Sequence, residues 1–171
     1  MLFIKLWLAR LFSLIFDQII DMKNLKEDLF EACRLFVNKK LINIEAVMQS
    51  NRMGLENESK SSAGDKHETG RAMLHLEMEK ASQQFEVVRN MKEVLEKIDI
   101  NSSSHHIRLG SLVETDQGIY FLSISAGLVN IDDKAYYAVS SSSPIGVKLL
   151  GKSKGEQVVL GSKIIQIISV S

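Results

Sequence analysis

Between residues 24 and 98 one spacing rule operates twice. From about 24 to 53, Phe30, Cys33, Val37, Leu41, Ile44 and Met48 lie 3, 4, 4, 3 and 4 positions apart. From about 68 to 98, Leu74, Met78, Ala81, Phe85, Val88, Leu95 and Ile98 mark a second seam, bordered by Glu77, Glu79, Lys80, Glu86, Arg89, Lys92, Glu93, Glu96 and Lys97. Apolar residues at alternating intervals of three and four return to one face of an α-helix, and charged borders make that face the contact of a coiled-coil-like pair. The single proline, Pro144, interrupts neither stretch. The connection from Asn57 to Gly64 is short, polar and rich in Ser59, Ser61, Ser62 and Gly64. A connection that short makes the two helices antiparallel neighbours. Each would run about 30 residues, a rod of roughly 45 Å at 1.5 Å per residue. Such a rod buries one stripe per helix, so its outer surface either meets a partner or stays solvated.

The connection ends in Gly64-Asp65-Lys66-His67-Glu68. Two carboxylates three residues apart at the end of a hairpin lie far from any core of their own. One reading is a capping box, with Asp65 as N-cap and Glu68 at the third helical position. The other is functional: residues three apart share one side of a helical turn and can offer oxygens to one ion. The two are compatible, because a cap keeps free oxygens. Charge at the tip of a rod implies that the tip is inserted into something.

Composition narrows the classes. The chain has 171 residues, 45% hydrophobic and 25% charged, which is enough for one or two small domains with a core. Lys+Arg and Asp+Glu both number 21, so a nucleic-acid-coating protein is not indicated. The one cysteine, Cys33, rules out an internal disulfide and a multi-cysteine zinc site. Within a helical seam it reads as a small packed apolar residue.

Residues 1–21 stand apart. The stretch from Met1 to Ile20 is rich in Leu, Ile, Phe and Trp, but Lys5, Arg10 and Asp17 interrupt it. A membrane-spanning helix needs about 20 predominantly apolar residues, and central charges are costly there. Ile19-Ile20-Asp21 does not resemble a signal-peptide cleavage site. The stretch reads as an apolar extension, outside the native protein if translation starts at Met22, where Lys23-Asn24-Leu25-Lys26 resembles a cytosolic beginning. An amphipathic surface helix, tethering the chain to a membrane, is the other reading. The expected location is cytoplasmic.

The expected hairpin occupies 22–100 and a second domain 101–171. Asn101 to His106 has the composition of a linker. His105 and His106 have no third ligand near them, and a metal site needs three or four, so they read as solvated linker residues. Strands are expected over 109–115 and 118–123, 128–131 and 135–139, and 157–160 and 163–170. They turn at Asp116-Gln117-Gly118, Asp132-Asp133 and Gly161-Ser162. Pro144 opens a short helix that Gly151 ends. Short antiparallel strands with one helix make a small α+β domain.

Two segments of the chain resemble the bacterial GreA/GreB transcript cleavage factors. At the tip, Gly64, Asp65 and Glu68 match the family's Gly-Asp-Leu-x-Glu-Asn, with Lys66 and Thr69 at the departing positions. The run from Ser143-Pro144-Ile145-Gly146 through Leu149-Leu150-Gly151-Lys152 to Gly155-Glu156 is similar to the family's Ser-Pro-Leu-Gly…Leu-Leu-Gly-Lys…Gly-Asp. Domain order and spacing agree over roughly residues 22–171. The resemblance implies an N-terminal antiparallel two-helix coiled coil followed by a small FKBP-like α+β domain.

It also implies a function. The coiled coil would enter the secondary channel of RNA polymerase. Asp65 and Glu68 would help hold the polymerase's Mg²⁺, so that its own active site cleaves the 3′ end of backtracked RNA. The chain would be no enzyme by itself and would carry no cofactor of its own. Contact with RNA would be indirect, with no sequence-specific DNA binding and no membrane partner. The second domain would dock at the channel rim through Ser143, Pro144, Ile145, Gly146, Leu149 and Gly151, with Ile145 and Leu149 readable equally as core. Where the family continues with Ala-Glu-Tyr, this chain has Gly70-Arg71-Ala72-Met73. That departure, with Lys66 and His67 beside the acidic pair, keeps open a channel-binding regulator that does not stimulate cleavage. A peptidyl-prolyl isomerase is a third reading. It would need an aromatic pocket, for which the second domain offers only Tyr120, Phe121, Tyr136 and Tyr137.

Overall fold

Both stretches of three-and-four spacing are helical. The computed structural model describes residues 22–57, 69–102 and 104–171, and only the backbone of 2–21, 58–60 and 65–68. Helix α1 is Leu2–Lys60 and helix α2 is Asp65–Glu96. Residues 61–64 lie outside the described residues. The connection is therefore shorter than the composition of 57–64 indicates. Glu58 and Lys60 are good helix formers and Ser59 costs only a few tenths of a kcal/mol in a helix, about what one more turn can absorb.

The chain divides into two compact units, 34–96 and 1–33 with 97–171. In the first, Val37, Ile44 and Asn51 of α1 and Ala81, Val88 and Leu95 of α2 are buried along facing seams. The pairing is antiparallel. A methyl placed on Gly54 would lie 3.2 Å from Leu74 Cδ1. One groove is bordered by Lys40 and Ile44 on α1 and by Lys80, Val88 and Met91 on α2.

The second unit contains the sheet. Its strands are β1 (Leu112–Thr115), β2 (Gly118–Ser123), β3 (Gly127–Ile131), β4 (Lys134–Ser140), β5 (Gln157–Leu160) and β6 (Lys163–Val170), with helix α3 (Pro144–Leu149) between β4 and β5. The order across the sheet is β3-β4-β2-β1-β6-β5. The chain is thus an α+β protein, a helical hairpin followed by a six-stranded sheet domain. The three expected turns join antiparallel neighbours. At Asp132 and Asp133, φ is 48° and 61°, the left-handed pair that a two-residue hairpin demands. One feature departs from an all-antiparallel arrangement: β2 and β4 run parallel, with Phe121 opposite Ala138. β3 turns back outside β4, so the intervening hairpin acts as the crossover that a parallel pair requires.

Strand alternation assigns the faces. On one face Leu122, Val113, Ile165, Ile167 and Val158 pack with Ile107 and with Ile145 and Leu149 of α3. On the other, Phe121 and Ser123 are fully buried, and Cys33 Sγ of α1 lies 3.5 Å from Ser123 Oγ. The residue range 22–33 of α1, with Leu29 and Cys33 both inaccessible, is therefore a cover for that face. Burial raises the Cys33 thiol pKa, partly offset by the Ser123 hydrogen bond. Cys33 is a packing residue, as its place in the seam predicts.

Candidate functional site: the hairpin end and the α3 segment

The backbone of α2 begins at Asp65, and Glu68 follows in the same turn. The side chains of both candidate ion-binding residues lie outside the described residues, as do Lys66 and His67. The first described positions beyond them are Thr69, Arg71, Ala72 and Met73, all exposed, with Gly70 partly covered. The departure from the family pattern therefore falls on a solvent-facing turn.

The α3 segment is described in full. Ser143 caps the helix: its Oγ accepts from Gly146 N at 3.1 Å and donates to Ser140 O at 2.7 Å. Pro144 follows at the first helical position, where its fixed φ is already helical and its missing N–H has no partner to lose. Leu150 N then donates to Gly146 O at 2.9 Å, and Gly151 leaves the helix at φ 77°. Gly146 has a second constraint. A Cβ there would come within 1.9 Å of Ser140 O, so only glycine lets α3 lie this close to the end of β4.

Of the six residues expected to meet a partner, Ile145, Gly146 and Leu149 are buried in the sheet domain. Ser143 and Gly151 shape the ends of the helix, and Pro144 is exposed. The apolar side chains that this segment shows to solvent are instead Val147 and Leu150, 59% and 47% exposed. Helical geometry carries that signal. With Ile145 and Leu149 four apart on the inner side, position 147 falls about 200° away from 145, on the outer side.

A second polar cluster adjoins α3. His106 and Ser153 form an isolated antiparallel bridge, and Ser153 Oγ is 2.9 Å from His106 Nδ1. Glu156 accepts from Lys152 Nζ at 3.0 Å and from Ser153 N at 2.7 Å. Those two bonds, the lysine's first, hold the Glu156 carboxyl below its usual range. A hydroxyl on an imidazole is also the geometry of an activated nucleophile. Here, however, the carboxylate binds the Ser153 backbone and not the imidazole, and His106 stands open to solvent. The cluster works as a clasp. It secures Ile107, whose N–H donates to Lys152 O at 2.7 Å and whose carbonyl accepts from Gly151 N at 2.8 Å. His106 is thus paired with the sheet domain, where composition indicates a free linker.

The aromatic residues do not gather. Register places Phe121 and Tyr136 on the face that α1 covers and Tyr120 and Tyr137 on the α3 face, where their ring centroids are 5.6 Å apart. Among the described residues no three His, Cys, Asp or Glu side chains converge as a metal site would require. Among the same residues no helix is long and apolar enough to cross a membrane.

Fold and site together define a two-part α+β protein whose helical hairpin carries acidic residues at the start of its second helix. No family model matches the sequence, and no curated protein matches it. Among solved structures the chain is similar to that of the transcription factor Gfh1, at 18% identity and a TM-score of 0.30, over 78% of this chain and 90% of that one. Agreement at that level carries no weight for function, which rests on the residues above.

Proposed function

We propose that this chain is a transcription elongation factor of the GreA/GreB type, acting on RNA polymerase from within its secondary channel. The observation that carries the reading is the start of α2 at Asp65, directly after the residues that connect the two helices. A hairpin is narrow and stiff, and its end can reach a recessed centre that a globular domain cannot. Asp65 and Glu68 would supply carboxylate oxygens to a Mg²⁺ belonging to the polymerase. Mg²⁺ prefers one or two carboxylates with water and phosphate oxygens completing its shell. A second ion beside the first would stabilise the attacking and leaving oxygens as the RNA phosphodiester is cut. The chain supplies ligands and position, and the polymerase supplies the rest of the active site. Val147 and Leu150, exposed beside the end of α3, are the apolar side chains available for docking at the channel rim.

A second reading, channel binding without cleavage, draws support from exposed Arg71 and Met73, where the family carries acidic and aromatic residues. Co-purification with RNA polymerase tests what the two readings share. A stalled elongation complex then separates them. We expect the protein to accelerate RNA shortening, and Asp65→Ala or Glu68→Ala to reduce that acceleration about 100-fold, the scale of losing one preorganised electrostatic contact in a transition state. Binding with no shortening would favour the second reading.

A further inference from the structure

Helix α2 carries a second stripe besides the seam that faces α1. Met73, Leu76, Lys80, Gln83, Val87, Met91 and Val94 recur at intervals of 3, 4, 3, 4, 4 and 3. On a helix they share one face, turned roughly 100° from the Ala81–Val88 seam. Its apolar members are open to solvent: Met73 is 61% exposed, Leu76 66% and Val87 55%. The same face borders the grooves beside Lys80, Gln83 and Gln84. Exposed apolar side chains repeating at coiled-coil intervals are surface prepared for another helix.

The order of these residues states which helix. Read outward from the midpoint between Gln83 and Gln84, the stripe is a palindrome. Gln83 mirrors Gln84, Lys80 mirrors Val87, Leu76 mirrors Met91 and Met73 mirrors Val94. A sequence that reads alike in both directions about one point suits an antiparallel partner identical to itself. A two-fold interface has that requirement: when residue i meets residue j, j must also meet i. With the axis at 83/84, the apolar ends Met73–Leu76 of one copy lie over Met91–Val94 of the other. The two glutamines meet at the centre, where each amide can both donate and accept. Lys80 lies beside Val87 of the second copy, its methylene stem covering the valine while the ammonium reaches water.

We propose that the hairpin face formed by Met73, Leu76, Lys80, Val87, Met91 and Val94 is a self-association surface, on which a second copy of this chain docks its α2 antiparallel. The product is a four-helix bundle made from two hairpins. The inference stands whether or not the hairpin acts on a polymerase, because it uses no residue of the hairpin end or of α3.

Sedimentation equilibrium of the full chain at micromolar loading, with matched circular dichroism to confirm helix content, tests the pairing through one exposed position. We expect a dimer. Val87→Lys sets a lysine beside Lys80 of the other copy, twice per dimer, and should raise the dissociation constant at least about tenfold. Val87→Glu replaces the same apolar contact with two Lys80–Glu pairs, and should hold the dimer within about threefold of the parent. Leu76→Lys should dissociate it. A monomer throughout the concentration range overturns the proposal. So does association indifferent to Val87→Lys and Leu76→Lys, which would place the contact elsewhere. Equal weakening by Val87→Lys and Val87→Glu would overturn the antiparallel two-fold register.

Discussion

At the scale of single residues, two positions carry unusual local cost. Lys26 on α1 is 93% inaccessible, having only 7% of its surface exposed. Burial, and then the charge of Arg108, lower its pKa, while Asp99 acts in the opposite direction. The unfolded chain therefore binds this proton more tightly than the folded one. Linkage then makes stability rise with pH from the lowered pKa up to the ordinary lysine range, and leaves the full cost in place below that window. Lys26→Met removes the cost. Urea midpoints should show the variant more stable than the parent at neutral pH, with the gap closing as the pH is raised into the alkaline window. Gly146 is strained by closeness and not by φ. Gly146→Ala must push α3 off Ser140 O, which lies 1.9 Å from where the new carbon would sit. The expected loss is about 1–3 kcal/mol, the range for overpacking a filled site. It would appear as a lower urea midpoint with an unchanged slope.

At the scale of elements, the buried seam of the hairpin contains one polar intruder. Asn51 is 6% exposed and its Nδ2 has no hydrogen-bond partner. An unpartnered buried amide costs about 1–3 kcal/mol, so Asn51→Leu should stabilise the hairpin and raise its thermal midpoint by a few degrees. A single polar residue in such a seam often fixes alignment, so the same variant should also loosen register, seen as faster amide exchange near Gly54. The seam itself was legible in the sequence because helical periodicity is local. The strands were legible for a similar reason, since Asp132-Asp133 and Gly161-Ser162 are turn chemistries. The parallel pairing of β2 with β4 was not, because no local signal records which strands meet after a hairpin has intervened. Cys33 shows the same limit in a helix. The spacing runs unbroken from Cys33 to Val37, yet Cys33 meets Ser123 on the sheet and Val37 belongs to the hairpin unit. Periodicity says that a face is covered, not by what. In the candidate site, the tip residues could be placed from turn composition alone. The inward and outward faces of α3 depended on the sheet beneath it.

At the scale of the whole molecule, the second unit is assembled from both ends of the described chain, and that is testable by cutting it. Leu29 and Cys33 are inaccessible only because 22–33 packs with 97–171, where Phe121 and Ser123 are equally inaccessible. Burying a side chain the size of leucine contributes about 1.5–3 kcal/mol. Against a typical net stability of about 5–15 kcal/mol, losing Leu29, Cys33 and the surface they cover removes a large share. A chain beginning at Met22 keeps these contacts and should retain the sheet domain. A chain beginning at Arg34 should not, although its hairpin unit is intact. The sequence supplies a selective probe. Its three tyrosines, Tyr120, Tyr136 and Tyr137, are all in the sheet domain, and the single tryptophan, Trp7, is absent from both truncated chains. Near-ultraviolet circular dichroism from tyrosine therefore reports the sheet domain, while far-ultraviolet signal is dominated by the helices. For the Met22 chain we expect both signals to persist. For the Arg34 chain we expect helix signal with the tyrosine signal lost, and partial recovery when a peptide spanning 22–33 is added. A native tyrosine signal in the Arg34 chain, with an unchanged unfolding midpoint, would show that the sheet needs no cover from α1.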